Sequence, residues 1–251
     1  MIHSVILMGQ SNMSGRGFMD EVEPIEHDRI KVLRCGKWNA INGAVSSEGP
    51  RCGTSLSESF ALRYAEDHPN DWIGLVPCSY CGSSLAQWGV GEVLYEHAVA
   101  MTKLAQRTST VVAILWHQGE CECRDYLYHS YRERFLAFMD QFRKDTGLED
   151  VPVIVGGLGE YLVNKTNTLR DYKLLYSINE QLKKMSEDLD YVAYASSEGL
   201  GCNPDNVHFN AKSLREFGLR YYDAFKTVEK KDRIFEEKED PNKNKSGMEH
   251  L

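Results

Sequence analysis

The chain has 251 residues, 42% of them hydrophobic and 26% charged, with a formal net charge of −8 and seven cysteines. That length holds one sizeable core and demands no second. The acidic balance, with no Lys/Arg block in the first 220 residues, argues against a nucleic-acid surface and for a neutral or weakly cationic partner, and no apolar window reaches the roughly 18 residues that span a bilayer.

In chain order, apolar runs of strand length occur at Val5–Met8, Trp72–Val76, Val111–Trp116, Val151–Val155 and Tyr191–Ala195, and segments with helical spacing lie between them. Ser57–Asp67 follows a Thr/Ser-rich start suited to capping, and Glu92–Ala105 sets Val93, Leu94, His97, Ala98 and Met101 on one stripe. The spacing predicts a long helix over Asp125–Thr146, with an aromatic stripe facing the core and Gly147 as its stop. Two more helices are expected over Thr168–Leu189 and Ala211–Val228. Five strands alternating with helices imply a mostly parallel sheet covered on both faces. Residues 14–53 break the rhythm, with a short strand candidate at Ile30–Arg34, and read as an excursion beside the active edge. From Glu229 to the end the composition turns to Glu, Lys, Asp and Asn, which describes a solvated tail after a single domain over residues 1–228.

The N-terminus shows no cationic region followed by a long apolar stretch, and an odd set of cysteines fits reduced thiols better than a disulfide framework. Both features point to the cytoplasm. Cys78-x-x-Cys81 and Cys121-x-Cys123 admit three readings: plain thiols, a redox disulfide, or a zinc site. The single-residue spacing of the second pair counts against zinc. The remaining histidines share no spacing that would make a metal site.

Gly9-Gln10-Ser11-Asn12-Met13-Ser14-Gly15 follows the first strand, where open α/β sheets place their chemistry. A serine hydroxyl needs an imidazole to take its proton and a carboxylate to fix that imidazole's tautomer. Asp205-Asn206-Val207-His208 supplies both, three residues apart, so Ser11, His208 and Asp205 are the candidate triad. An isolated Asp-x-x-His is also common in surface loops. The glycine-flanked serine could alternatively be a loop in a non-catalytic carbohydrate- or nucleotide-binding α/β domain, but it lacks the Gly-Lys-Ser/Thr ending and the GxGxxG spacing of phosphate loops.

Four blocks stand in order: Gly9-Gln10-Ser11-Asn12, Gly82-Ser83-Ser84-Leu85, Trp116-His117-Gln118-Gly119-Glu120, and Asp205-Asn206-Val207-His208-Phe209. Together they resemble the SGNH (GDSL-like) hydrolase superfamily over residues 3–225. The Gly-Gln-Ser-Asn-Met and His-Gln-Gly-Glu forms are similar to the branch holding carbohydrate esterase family 6 acetyl xylan esterases and sialate O-acetylesterases. The resemblance implies a three-layer α/β/α sandwich with a five-stranded, mostly parallel, flavodoxin-like sheet. It implies a serine esterase that removes acetyl groups from a small carbohydrate through an acyl-enzyme, with no cofactor. Ser11 would be the nucleophile, His208 the base and then acid, and Asp205 its orienting carboxylate. The oxyanion hole would comprise the backbone N–H groups of Ser11 and Gly82 and the side-chain amide of Gln118, which stands where the superfamily usually has asparagine.

Around these residues several assignments stay open. Glu120 either braces the nucleophile loop through Gln10 or Asn12, orients His208, or pairs with a cation such as Arg124. Trp88 is a candidate sugar-stacking wall, with Tyr80, Trp38 and residues of the 14–53 excursion as others; Trp88 could equally pack under its loop. Arg16 and Arg51 could meet a carboxylated substrate, and His117 reads as a packing or hydrogen-bonding residue.

Overall fold

The computed structural model describes residues 1–229, and the charged tail expected over 229–251 lies, Glu229 excepted, outside the described residues. The first strand, β1 (Ile2–Gly9), is buried almost throughout. Successive side chains of a strand point to opposite faces, so its unbroken apolar run feeds two cores: Val5 and Leu7 enter one, Ile6 and Met8 the other. The strands that follow are β2 (Ile30–Arg34), β3 (Lys37–Ala40), β4 (Trp72–Pro77), β5 (Thr110–His117), β6 (Val153–Gly156) and β7 (Val192–Ala195). They form one sheet in the order β3-β2-β4-β1-β5-β6-β7, parallel at every pairing except β2 with β3.

The sheet has seven strands rather than the five expected. Ile30–Arg34 is part of the sheet, set beside β4 with Ile30 and Val32 buried. A two-residue turn then leads into β3, whose Lys-Trp-Asn-Ala sequence is mostly exposed and carries no apolar run to announce it. Trp38 on β3 is therefore not a wall of the site. Its indole lies over Gly74 of β4, where any Cβ would sit 2.4 Å from the ring, and its Nε1–H is donated to Thr108.

Helices α2 (Leu56–Asp67) and α6 (Ala211–Val228) cover one face of the sheet, and α3 (Val93–Gln106), α4 (Tyr131–Thr146) and α5 (Leu175–Asp188) cover the other; α1 (Ser11–Ser14) is a single turn after β1. This is the three-layer α/β/α arrangement. Capping is local: the Ser55 hydroxyl accepts the N–H of Ser57, and the Asn210 side chain accepts that of Ser213. The expected helix over Asp125–Thr146 starts six residues later, because the Arg124 carbonyl takes the N–H groups of Leu127 and Tyr128 and holds that stretch in turns. The one expected over Thr168–Leu189 starts at Leu175, after a 3-10 turn capped by Asp171. Among the described residues no helix is long and apolar enough to cross a membrane.

Strand β1 stands between β4 and β5, so the chain builds outward from it first on one side and then on the other. Such a switch point opens a crevice at the carboxyl ends of the strands. The loops after β1, β4, β5 and β7 converge there.

Candidate active site

Two backbone requirements set Ser11 in place. Gly9 takes a φ of +124°, and a Cβ there would lie 2.1 Å from the His117 carbonyl oxygen, so only glycine lets β1 close against the end of β5. The Gln10 N–H is donated to that same carbonyl at 2.9 Å, and Ser11 opens α1 with 3% of its surface exposed. As the first helical residue it has no intrahelical acceptor for its own N–H.

On the loop after β7, Asp205 folds back on its own backbone. One carboxylate oxygen accepts the N–H groups of Val207 and His208, at 2.8 and 3.0 Å, and the other lies 2.7 Å from His208 Nδ1. A carboxylate can only accept, so Nδ1 carries the proton and Nε2 presents its lone pair. That Nε2 is 2.9 Å from Ser11 Oγ. Burial pushes the Asp205 carboxyl upward, but the hydrogen bonds from the His208 ring and from the His208 and Val207 backbones outweigh it and hold the group below the usual carboxylate range.

Asn12 ties this loop to the nucleophile turn. Its amide nitrogen is 2.6 Å from Glu120 Oε1 and 3.3 Å from the Val207 carbonyl, and its Oδ1 accepts the Phe209 N–H at 3.1 Å. The residues on both sides of His208 are thus fastened to the residue after Ser11. Glu120, almost fully buried, takes the bracing arrangement through Asn12. Neither Arg124 nor His208 is its partner; His117 Nε2 lies 3.6 Å away. Desolvation pushes the Glu120 carboxyl up, and the neighbouring His117 ring and the hydrogen bond from Asn12 bring it down below its ordinary value. Gln10 is buried beside these groups. His117 packs edge-on against Phe209 and Phe217, with Nδ1 3.2 Å from the Tyr221 hydroxyl.

The second half of the site is built from the loops after β4 and β5. The Tyr80 N–H is donated to the Gly9 carbonyl and the Ser83 N–H to that of Tyr80, which brings Gly82, at a φ of +68°, next to the nucleophile turn. Among the described residues neither the Gly82 N–H nor the Ser11 N–H has a protein acceptor. Gln118 is fully buried, with its amide nitrogen 3.2 Å from the Ser83 carbonyl and 3.4 Å from Glu122 Oε1. Glu122, equally buried, also accepts the Leu85 N–H at 2.7 Å and pairs with Arg134 at 2.6 Å. Sequence reasoning missed Glu122: it stands among cysteines in Glu120-Cys121-Glu122-Cys123, and no spacing connects it to Leu85 or Arg134.

Trp88 does not face a ligand. It is 0% exposed, stands edge-on to Trp116 at 5.4 Å and donates its Nε1–H to Ser83 Oγ, so it packs beneath the Gly82 loop. Tyr80 is 49% exposed. Arg16 is buried and paired with Glu48, which itself accepts the Cys81 N–H. Arg51 lines an open cavity of about 280 Å³ together with Phe18, Cys52, Asp205 and His208. The seven cysteines are unbridged. Burial pushes the Cys78 thiol up to about 12, and Cys121 donates to the Gly82 carbonyl. Among the described residues no three His, Cys, Asp or Glu side chains group as ligands for an ion.

Residues 2–227 match the family described as carbohydrate esterase, sialic acid-specific acetylesterase. A protein of Arabidopsis thaliana named "Probable carbohydrate esterase" is 25% identical over 245 residues, 88% of each chain. In fold the chain is similar to a solved Arabidopsis thaliana protein, with a TM-score of 0.79 at 23% identity over 90% of this chain and 98% of that one. It is also similar to NanS, with a TM-score of 0.69 at 18% identity over 89% and 96% of the two chains. A third likeness is to a carbohydrate acetylesterase from Xanthomonas citri, with a TM-score of 0.65 at 19% identity over 91% of this chain and 56% of that one. A family match across nearly the whole described chain favours the esterase expectation over the non-catalytic binding domain considered above. The chain is a carboxylic ester hydrolase of the carbohydrate acetylesterase kind, and it belongs to the sialic acid-specific acetylesterase family of carbohydrate esterases.

Proposed function

We propose that this protein is a serine esterase that removes O-acetyl groups from a small acetylated carbohydrate through an acyl-enzyme. Ser11 Oγ attacks the acetyl carbonyl as its proton passes to His208 Nε2. The imidazolium then protonates the departing sugar oxygen. Water, deprotonated by the same nitrogen, releases acetate and restores the serine. Asp205 keeps the proton on Nδ1 and stabilises the transient imidazolium. The backbone N–H groups of Ser11 and Gly82 hold the tetrahedral oxyanion. Gln118 joins them through Nε2, whose 3.4 Å contact with Glu122 is the weaker of its two and the one an oxyanion would replace. No cofactor enters these steps.

The observation that carries this reading is the unbroken relay of 2.9 and 2.7 Å from Ser11 through His208 to Asp205. The family description supports acetylated sialic acid as the first substrate to try, with acetylated xylan-type sugars second. The odd number of cysteines, none bridged, supports a reducing cytoplasmic setting, in which short sugars rather than polymers are at hand.

The test is acetate release from an activated acetyl ester and from a panel of acetylated mono- and oligosaccharides, for the wild type and Ser11→Ala. The variant is expected to lose about a thousandfold or more in kcat. Equal rates would remove Ser11 from the mechanism, and activity confined to long acyl chains would refute the sugar assignment.

A further inference from the structure

Three segments of the chain converge on the Arg16 guanidinium, which is buried beside the nucleophile turn. Its Nη2 pairs with Glu48 at 2.5 Å, and its Nη1 is donated to the Gly15 carbonyl at 2.9 Å and to Cys52 Sγ at 3.5 Å. The other Glu48 oxygen accepts the Cys81 N–H, and the Cys81 side chain is a further partner of the same guanidinium. Two thiols from different loops thus share one cation. Both loops are pinned to the turn that carries Ser11: Ser14 Oγ is donated to Ser79 Oγ at 2.9 Å, and Thr54 forms an antiparallel bridge with Gly17.

The other five thiols stand apart from this arrangement. Cys78 and Cys123 are sealed in the core, and burial pushes the first up to about 12 and raises the second as well. Cys121, also buried, is donated to the Gly82 carbonyl and lifted to about 11 by burial. Burial and the Asp205 charge raise Cys202, and Cys35 is exposed on the turn between β2 and β3. Cys52 and Cys81 are half-buried, and Cys52 lines the open cavity that reaches His208. Partly exposed thiols in contact with a cation are the ones that oxidants attack, whereas thiols enclosed by apolar side chains are inert.

We propose that Cys52 and Cys81 are a peroxide-sensitive pair that closes into a disulfide and so governs the esterase site. The Cys52 sulfur attacks one oxygen of the peroxide, the O–O bond breaks, and the second oxygen leaves with the thiol proton as water. The Cys81 sulfur then attacks the resulting sulfenic acid, whose hydroxyl leaves with the Cys81 proton as a second water. Two electrons pass from the thiols to the peroxide, and one S–S bond is made. That bond, about 2 Å long, takes both sulfurs from Arg16 and draws Cys81 toward residues 49–53. Cys81 precedes Gly82, whose N–H is assigned to the oxyanion, so closure displaces an oxyanion donor. In a reducing compartment such a bond is transient and regulatory.

The experiment treats the full chain with hydrogen peroxide, alkylates the remaining thiols and digests it with trypsin. Mass spectrometry is expected to find peptide 52–63 joined to peptide 64–103, lighter by two hydrogens than their sum. The second peptide also holds Cys78, so the linkage is expected to vanish in Cys81→Ser and, should that variant not fold, in Cys52→Ser. A joined pair that persists in Cys81→Ser, or none in the wild type, overturns the bridge.

The control rests on the esterase reading, and the bridge does not: the joined peptides are read whether or not an ester is turned over. On an activated acetyl ester, oxidation is expected to lower kcat about tenfold, dithiothreitol to restore it, and Cys52→Ser to show no such fall. A bridge that forms with kcat unchanged overturns the control.

Discussion

The two halves of the site differ in how they are built. The half to which we assign proton transfer, Asp205 and His208, comes from one short loop; its carboxylate is 44% exposed and its bonds span two or three residues. The half to which we assign the oxyanion, Gly82 and Gln118 with Glu122 behind them, is drawn from two loops, and its two key side chains are wholly buried. The difference follows from what each must do. A base that passes a proton first to a leaving sugar and then takes one from water works at the edge of solvent. Donors aimed at a developing negative charge are worth most where water is excluded and the geometry is fixed beforehand.

If this contrast is right, damage to the buried half should cost fold stability as well as rate, whereas damage to the open half should leave stability nearly untouched. Gln118→Ala is expected to lower kcat about a hundredfold with little change in KM, the loss typical of one oxyanion donor. A decrease of less than threefold by steady-state kinetics would take Gln118 out of the anion-holding set. Next in size is Asn12→Ala, since Asn12 fastens the base loop to the nucleophile turn and to Glu120. Its removal leaves Glu120 buried without its closest donor and frees the backbone around His208. A stability loss of about 1–3 kcal/mol in denaturant titrations and a fall of about tenfold in kcat are expected. Reduced stability with an unaltered kcat would mean that Asn12 holds the fold and not the base.

The smallest effect on stability belongs to the open half. The folded-state pKa of Asp205 lies below its ordinary value, so its ionisation stabilises the fold above the unfolded pKa of about 3.9, and that gain disappears as the pH falls through the lower folded value. Because the group stands half in water, the gain should stay below about 1 kcal/mol. The melting-temperature difference between wild type and Asp205→Asn is therefore expected to be flat at neutral pH and to close in acid. A gap that widens on acidification would show the carboxylate to be held in its protonated form.

Much of this molecule could be read before its coordinates. The doubly covered strands announce themselves because burial on both faces forces an unbroken apolar run, as in Val5–Met8 and Val111–Trp116. The carboxylate's grip on His208 follows from a three-residue step, and the glycine before Ser11 from the sharp turn a strand needs at its end. These are local demands, and local chemistry writes them into consecutive residues. Strand β3 could not be seen this way, since an edge strand of four mostly exposed residues is defined by its neighbour and not by its own pattern. Trp88 was ambiguous for a related reason: stacking on a sugar and packing under a loop call for the same flat apolar ring. Only the fold decided it, by closing the Gly82 loop over the indole.

The alternating sequence and its motifs by themselves determined the layered α/β class, the serine at the crevice and the imidazole that would serve it. The tertiary structure decided that Asn12 clasps the base loop, that Glu122 anchors the amide side, and that Cys52 and Cys81 meet at Arg16. Those contacts join residues from 12 to 197 positions apart, and no short-range preference of the chain can encode a meeting that exists only once the sheet has brought its loops together.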